Sequence, residues 1–201
     1  MCIRDSEPIT PGVAVTVAQA NSLVGFTTGL VTATISDGDI ATLSGLVTDT
    51  EADGTTAYPN ALTITVTDTT VSAAALNTLD AKTTIDVDAT ATTTLTGTLT
   101  DVIAAYAADA AGATVNLDGD EAVTISDTGV IDAANVNTVN TETSGLVTLS
   151  GVTGLTGTAA AVTAAFTANS GAGGVTGLAL VEGSTVASVS YTHLRAHETL
   201  V

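Results

Sequence analysis

Apolar residues recur along this chain in two rhythms. After the prolines of EPITPGVAVTV, Val13, Val15 and Val17 alternate with polar or small neighbours, which predicts a strand. Residues 18–25 suit a short helix. Residues 29–36 alternate again, with Val31, Ala33 and Ile35 facing one way, and Asp37-Gly38-Asp39 makes a turn. Residues 40–60 are the least regular stretch. Their turn signals at 51–54 and 58–60 predict a long loop. From residue 62 the rhythm steadies. A strand over 63–68 turns Ile64 and Val66 inward and Thr63, Thr65 and Thr67 outward. A helix over 71–80 carries a stripe of Val71, Ala75, Leu76 and Leu79. Short strands at 85–87 and 92–95 precede a helix over 98–109, striped by Leu99, Val102 and Tyr106. Thr98 and Asp101 open that helix as a capping box with Asp in place of Glu, and Gly112 is its stop signal. Strands around Val115/Leu117 and Val123/Ile125 then lead to a helix over 132–140 with Ala133, Val136 and Val139 apolar. Strands around Val147/Leu149 and Val152/Leu155 follow, then a helix from Thr158 and a strand over 173–180.

The rhythm is a repeat. LTGTLTDVIAAYAADAAG at 95–112 returns at 155–172 as LTGTAAAVTAAFTANSGA, with 8 of 18 positions identical at a 60-residue step. LNTLD at 76–80 returns at the same step as VNTVN at 136–140. Helix starts near 71, 100, 131 and 159 give a structural period of about 30 residues, half the sequence period. Helices this short and isolated strand pairs are marginal alone, so each coil must bury its apolar stripe against the next. The expected fold is a β-rich solenoid of the α/β type. Its coils of about 30 residues each hold one short helix followed by two short parallel strands, and two coil types alternate in the 60-residue repeat.

Both ends read differently. MCIRDS at 1–6 and VSYTHLRAHET at 189–199 resemble translated sequencing-adapter DNA. Residues 1–6 and 189–201 are therefore set aside as adapter-like scars, expected to pack poorly on the body. The His193/His197 pair at i, i+4 beside Glu198, which would suit a metal on a helix, leaves with them, as does the lone Cys2. The division is then a scar at 1–6, irregular or degenerate coils at 7–60, regular repeats at 61–188 and a scar at 189–201.

Charge narrows the function. The chain has a net charge of −18; of its 21 acids, Asp5 and Glu198 fall in the scars, leaving 19 against one base, Lys82. Such a surface repels phosphate backbones and anionic lipid, which argues against nucleic-acid partners. No apolar run reaches the roughly 20 residues that span a bilayer, so no membrane insertion is expected. The 45% apolar content exceeds that of a disordered acidic tail, yet only 2% is aromatic, which suits a thin core repeated many times. The body has no His or Cys, so a catalytic site would rest on a carboxylate pair, and the Arg, Lys and aromatic side chains that polysaccharide-acting β-helices bring to sugars are nearly absent. The expectation is a non-enzyme.

Two other chemistries are legible. Asp37 and Asp39, and Asp118, Asp120 and Glu121, are candidate calcium ligands, the one cofactor in view. Neither cluster has the spacing of an EF-hand or of a calcium-binding nonapeptide. The threonines at 63, 65, 67 and at 92, 94, 96 suggest an ice-binding ladder, but the later coils offer Ser126 and Gly154 where that ladder wants Thr; Thr is common on the wet face of any strand.

With LTGT, DVIAAYAA, LNTLD and VTISD in view, residues 63–180 resemble the repeats of very long Thr/Ala/Val/Asp-rich surface proteins of marine bacteria, cyanobacteria in particular. That resemblance implies an extracellular or cell-surface location and a role in adhesion, surface layers or motility. Its partners would be neighbouring repeats of the same chain and cell-surface components.

Overall fold

The computed structural model describes residues 10, 12–27, 29–50, 57–110, 114–168 and 174–177. Among them the elements run in order as α1 Val17–Phe26, β1 Thr32–Thr34, α2 Ile40–Leu43, β2 Asp49–Thr50, β3 Ala57–Tyr58, β4 Ala61–Thr63, β5 Thr70–Ser72 and α3 Ala73–Asp80. There follow β6 Val87–Asp88, β7 Thr94–Gly97, α4 Leu99–Asp109, β8 Val115–Asn116, β9 Ala122–Ile125, β10 Gly129–Asp132, α5 Ala133–Glu142, β11 Val147–Thr148, β12 Val152–Thr156, α6 Ala159–Ala168 and β13 Val175–Thr176. This is an α/β-type mixed fold built on parallel sheets.

The largest sheet runs β5-β7-β9-β11-β13, every pair parallel. Its register places Val71, Leu95, Val123, Val147 and Val175 side by side, a shorter sequence step alternating with a longer one. All five are at most 1% exposed, so one unbroken apolar row lies under the sheet. Burial of each such side chain contributes about 1.5–3 kcal/mol before entropy is counted. A second parallel run passes from β1 to β4, bridges from Thr65 to Asp88, and continues from β6 to β8. Ile35, Ile64, Val87 and Val115 are its buried row. β10 and β12 form a third parallel pair, with Ile131 beside Leu155.

The helices pack beside one another in chain order from α3 to α6. Each buries a narrow stripe: Ala73, Leu76 and Leu79 in α3; Leu99, Val102, Ala105 and Tyr106 in α4; Ala133, Val136 and Val139 in α5. The rows and stripes join in one continuous core.

Several expectations change. Val13 is 75% exposed while Val15 and Val17 are buried: Val15 alone bridges to Ile35, residue 13 lies in a bend before it, and Val17 already opens α1. Residues 40–60 are not one loop. They hold the single turn α2, capped by Asp39, and the antiparallel pair β2-β3. Val71 lies in β5, not in a helix, so the α3 stripe shifts from Ala75 to Ala73. Ile85 is 40% exposed and the strand begins only at Val87. The helices α3 to α6 begin at Ala73, Leu99, Ala133 and Ala159, so short and long intervals alternate where an even period was expected. The longer interval holds a third strand, since α4 is followed by β8, β9 and β10. Gly112, residues 178–180, His193, His197 and both scars lie outside the described residues.

Candidate functional site

The carboxylates singled out as calcium ligands serve mainly as acceptors for backbone amides. Asp37 accepts from the Val17 amide at 2.7 Å, at the first residue of α1. Asp39 is the N-cap of α2 and accepts from the Thr42 amide at 2.8 Å; the Thr42 backbone bond, helped by the Thr42 side chain, holds its carboxyl below the usual range. Glu121 is fully buried. One of its oxygens accepts from the Asp118 and Gly119 amides at 2.8 and 3.1 Å, and the other from the Tyr106 hydroxyl at 3.1 Å. Asp118 and Asp120 point to solvent. Among the described residues no three His, Cys, Asp or Glu side chains come together in a way that would hold a metal ion.

A pattern of long-range contacts connects these acids to others. Asp68 accepts from the Ile40 amide at 2.5 Å and Asp127 from the Leu99 amide at 2.6 Å. Val17, Ile40 and Leu99 are each the first residue of a helix, and the acid lies 20 or 28 residues further on, at the end of the next strand layer. Each of these helices is also capped from within: Thr16, Asp39 and Thr98 accept from Gln19, Thr42 and Asp101. Two of the amides left without partners in the first turn are thus satisfied, one locally and one from the following layer. A carboxylate there also complements the helix dipole. The repeated TISD tetrapeptide at 34–37 and 124–127 is the signal that would have found Asp37 and Asp127.

Asparagines make the matching link between helices. Asn21, Asn77 and Asn137 each sit fifth in their helix and donate to a carbonyl 24 residues on: Gly45 at 2.8 Å, Asp101 at 2.9 Å and Ala161 at 2.9 Å. The residue after each, Ser22, Thr78 or Thr138, bonds back to the carbonyl four residues earlier. The Asn in LNTLD and VNTVN therefore ties neighbouring helices together.

Tyr106, Glu121 and Thr143 form a buried polar network. Thr143 donates to the Glu121 carbonyl at 2.7 Å and accepts from the Gly145 amide at 2.9 Å. A Cβ on Gly145 would collide with the Glu121 carbonyl, so close approach requires glycine there. Burial, and then the charge of Glu121, push the Tyr106 hydroxyl pKa far above its usual value.

On the outer face of the five-stranded sheet the register aligns Ser72, Thr96, Thr124, Thr148 and Thr176, a hydroxyl at every strand. Ser72 and Thr124 are exposed and the other three half-buried. The row differs from the one anticipated. Thr63 lies in β4 beside Thr34, in another sheet, and Thr94 stands between Thr70 and Ala122. The later strands thus present Thr124, Thr148 and Thr176 rather than Ser126 and Gly154.

Comparison with known proteins finds no matching family model, no similar curated protein and no similar solved structure. Among the described residues no helix is long and apolar enough to cross a membrane.

Proposed function

We propose that this chain is a solenoid segment of a large secreted or cell-surface protein, serving as a non-enzymatic spacer or adhesive stalk. The observation that carries the reading is the spacing of the parallel rows. The row through residues 35, 64, 87 and 115 becomes, at a 60-residue step, the row through 95, 123, 147 and 175 to within a residue. Asn77 and Asn137, with their acceptors Asp101 and Ala161, obey the same step. A sequence repeat that carries one hydrogen-bonded row onto another supports coils added along an axis, which is how a solenoid reaches length without a larger core. An acidic, Thr-rich exterior suits a stalk held in salt water.

Single-molecule stretching of residues 7–188 between handles tests the spacer role. A stalk of stacked coils gives way in several small steps, since each coil contacts only its neighbours. One cooperative rupture of the whole body would contradict it. Antibody against this segment should label intact cells that express the parent gene; labelling only after permeabilisation would contradict the surface location.

The hydroxyl row supports a second reading, a face that meets a periodic surface such as ice. Strands about 4.8 Å apart repeat their side chains at that interval. Ice-recrystallisation inhibition by the folded segment, lost in Thr124→Val/Thr148→Val, would favour it, and inactivity of the parent would remove it.

A further inference from the structure

Tyr106 and Glu121 form a buried side-chain pair against a core built from Val, Leu, Ile and Ala, in which the other buried polar side chains among the described residues are Asn60 and threonines. The pair joins three successive pieces of chain. Tyr106 projects from α4, Glu121 stands just before β9, and the 143–145 corner after α5 closes over the Glu121 backbone through Thr143. The Ser144 backbone N–H also donates a hydrogen bond to the Gly119 carbonyl at 2.8 Å.

The same positions elsewhere in the repeat are apolar together. Sixty residues on they read Phe166 and Val181. One layer back, Thr83 donates to the Leu62 carbonyl as Thr143 does to that of Glu121, so the place of the carboxylate is taken by the buried Leu62. Neither of these copies carries the hydroxyl or the carboxylate alone.

We infer that Tyr106 and Glu121 are a register lock, which allows the layer of α4 to accept only the turn at 118–121 and rejects the equivalent segment of another repeat. The inference rests on the solenoid reading. Repeats as alike as 95–112 and 155–172 offer the folding chain an alternative partner one repeat away, and apolar contacts alone discriminate weakly between two Val- and Ala-lined layers. Mispairing would set the Tyr106 hydroxyl against an alkyl group or bury Glu121 against Phe166 without its third donor. An unsatisfied buried hydroxyl or carboxylate is costly in a way that a lost methyl contact is not. A single buried polar residue fixes register in coiled coils by the same logic.

The test places spin labels at Ser72→Cys and Thr124→Cys in a Cys2→Ser background. Both positions are exposed and sit two strands apart in the hydroxyl row, about 10 Å at the usual strand spacing. The parent, unfolded and refolded, should show that short distance alone. Tyr106→Phe/Glu121→Val, which copies the next repeat, should melt closer to the parent than Glu121→Val does, yet show a second, longer distance after refolding. If the double variant does not fold, Tyr106→Phe alone should show the longer population under the same protocol. A variant that refolds only to the short distance overturns the lock and leaves the stacked fold standing. A parent without the short distance overturns the stacked fold itself.

Discussion

Replacing Asp127 by alanine removes the acceptor that the β9 layer offers to α4. The Leu99 amide then has no partner in the first turn, while Thr98 still caps Asp101 from within. A hydrogen bond to a charged group contributes about 1.5–3 kcal/mol, and a carboxylate at a helix N-terminus about 0.3–1 kcal/mol through the dipole. Asp127 is half-buried and its bond is 2.6 Å long, so the two effects together should cost about 2 kcal/mol, water recovering part of the loss. Asp127→Asn keeps an acceptor without the charge and should fall about midway. Asp118→Ala is the control. That side chain is exposed, and the nearby amide bonds go to Glu121, so its effect should stay within about 0.5 kcal/mol. Urea denaturation followed by circular dichroism gives the midpoints, and an unchanged slope keeps the comparison valid. Amide exchange at Leu99 and Asp101 localises the effect, because the first should lose protection in Asp127→Ala and the second largely keep it. Equal midpoints for Asp127→Ala and Asp118→Ala would refute the idea that acids of one layer cap the helices of the preceding one.

Other outcomes follow from the same contacts. Tyr106→Ala should cost about 3 kcal/mol, since the surrounding Val and Ala side chains cannot collapse into the space, whereas Lys82→Ala, at a half-buried corner, should cost under about 0.5 kcal/mol; equal effects in thermal melts would count against the assigned core. The Tyr106 hydroxyl is held protonated by burial and by Glu121, so the unfolded chain releases that proton first and stability should fall as pH rises above the ordinary tyrosine value of 10.0; Tyr106→Phe should flatten that limb of a melting-temperature profile, and an unchanged limb would show that Tyr106 does not set it. With Asp37, Asp39 and Glu121 engaged by amides, calcium and magnesium at matched ionic strength should raise the melting temperature alike by screening the net charge of −18, and a gain specific to calcium over a chelator control would show a site that these contacts do not explain.

The sequence announced the elements that depend on local rhythm. Alternation at Val31/Ala33/Ile35, Ile64/Val66 and Val123/Ile125 matches rows of buried residues, and Thr98 caps α4 as its spacing suggests. It failed where long-range contact decides. Val71 continues an apolar pattern that suits the helix after it, but parallel pairing with Leu95 holds it extended. Asp39 reads as half of an acidic cluster because the carboxylate is visible in sequence and its amide partner is not. Asp127 passed unnoticed because its partner lies 28 residues earlier. Glu121 reads in sequence as a calcium candidate, and only the fold reveals that Tyr106 and two turn amides donate to it. The hydroxyl row was misplaced because Thr63 and Thr96 fall into separate sheets; register, not composition, selects Ser72, Thr96, Thr124, Thr148 and Thr176.

The central claim is that strands far apart in sequence lie parallel and pair with one another in the five-stranded sheet. Scalar couplings across hydrogen bonds, measured by NMR on isotopically labelled protein, report each amide–carbonyl pair directly. The predicted pairs are Thr93 to Thr69, Ala122 to Thr93, Val123 to Leu146, Val147 to Gly174 and Leu149 to Thr176. Observing these couplings, each between segments far apart in the chain, is the result this account requires. Couplings that instead join neighbouring strands as antiparallel hairpins, such as β8 with β9 or β11 with β12, would contradict it.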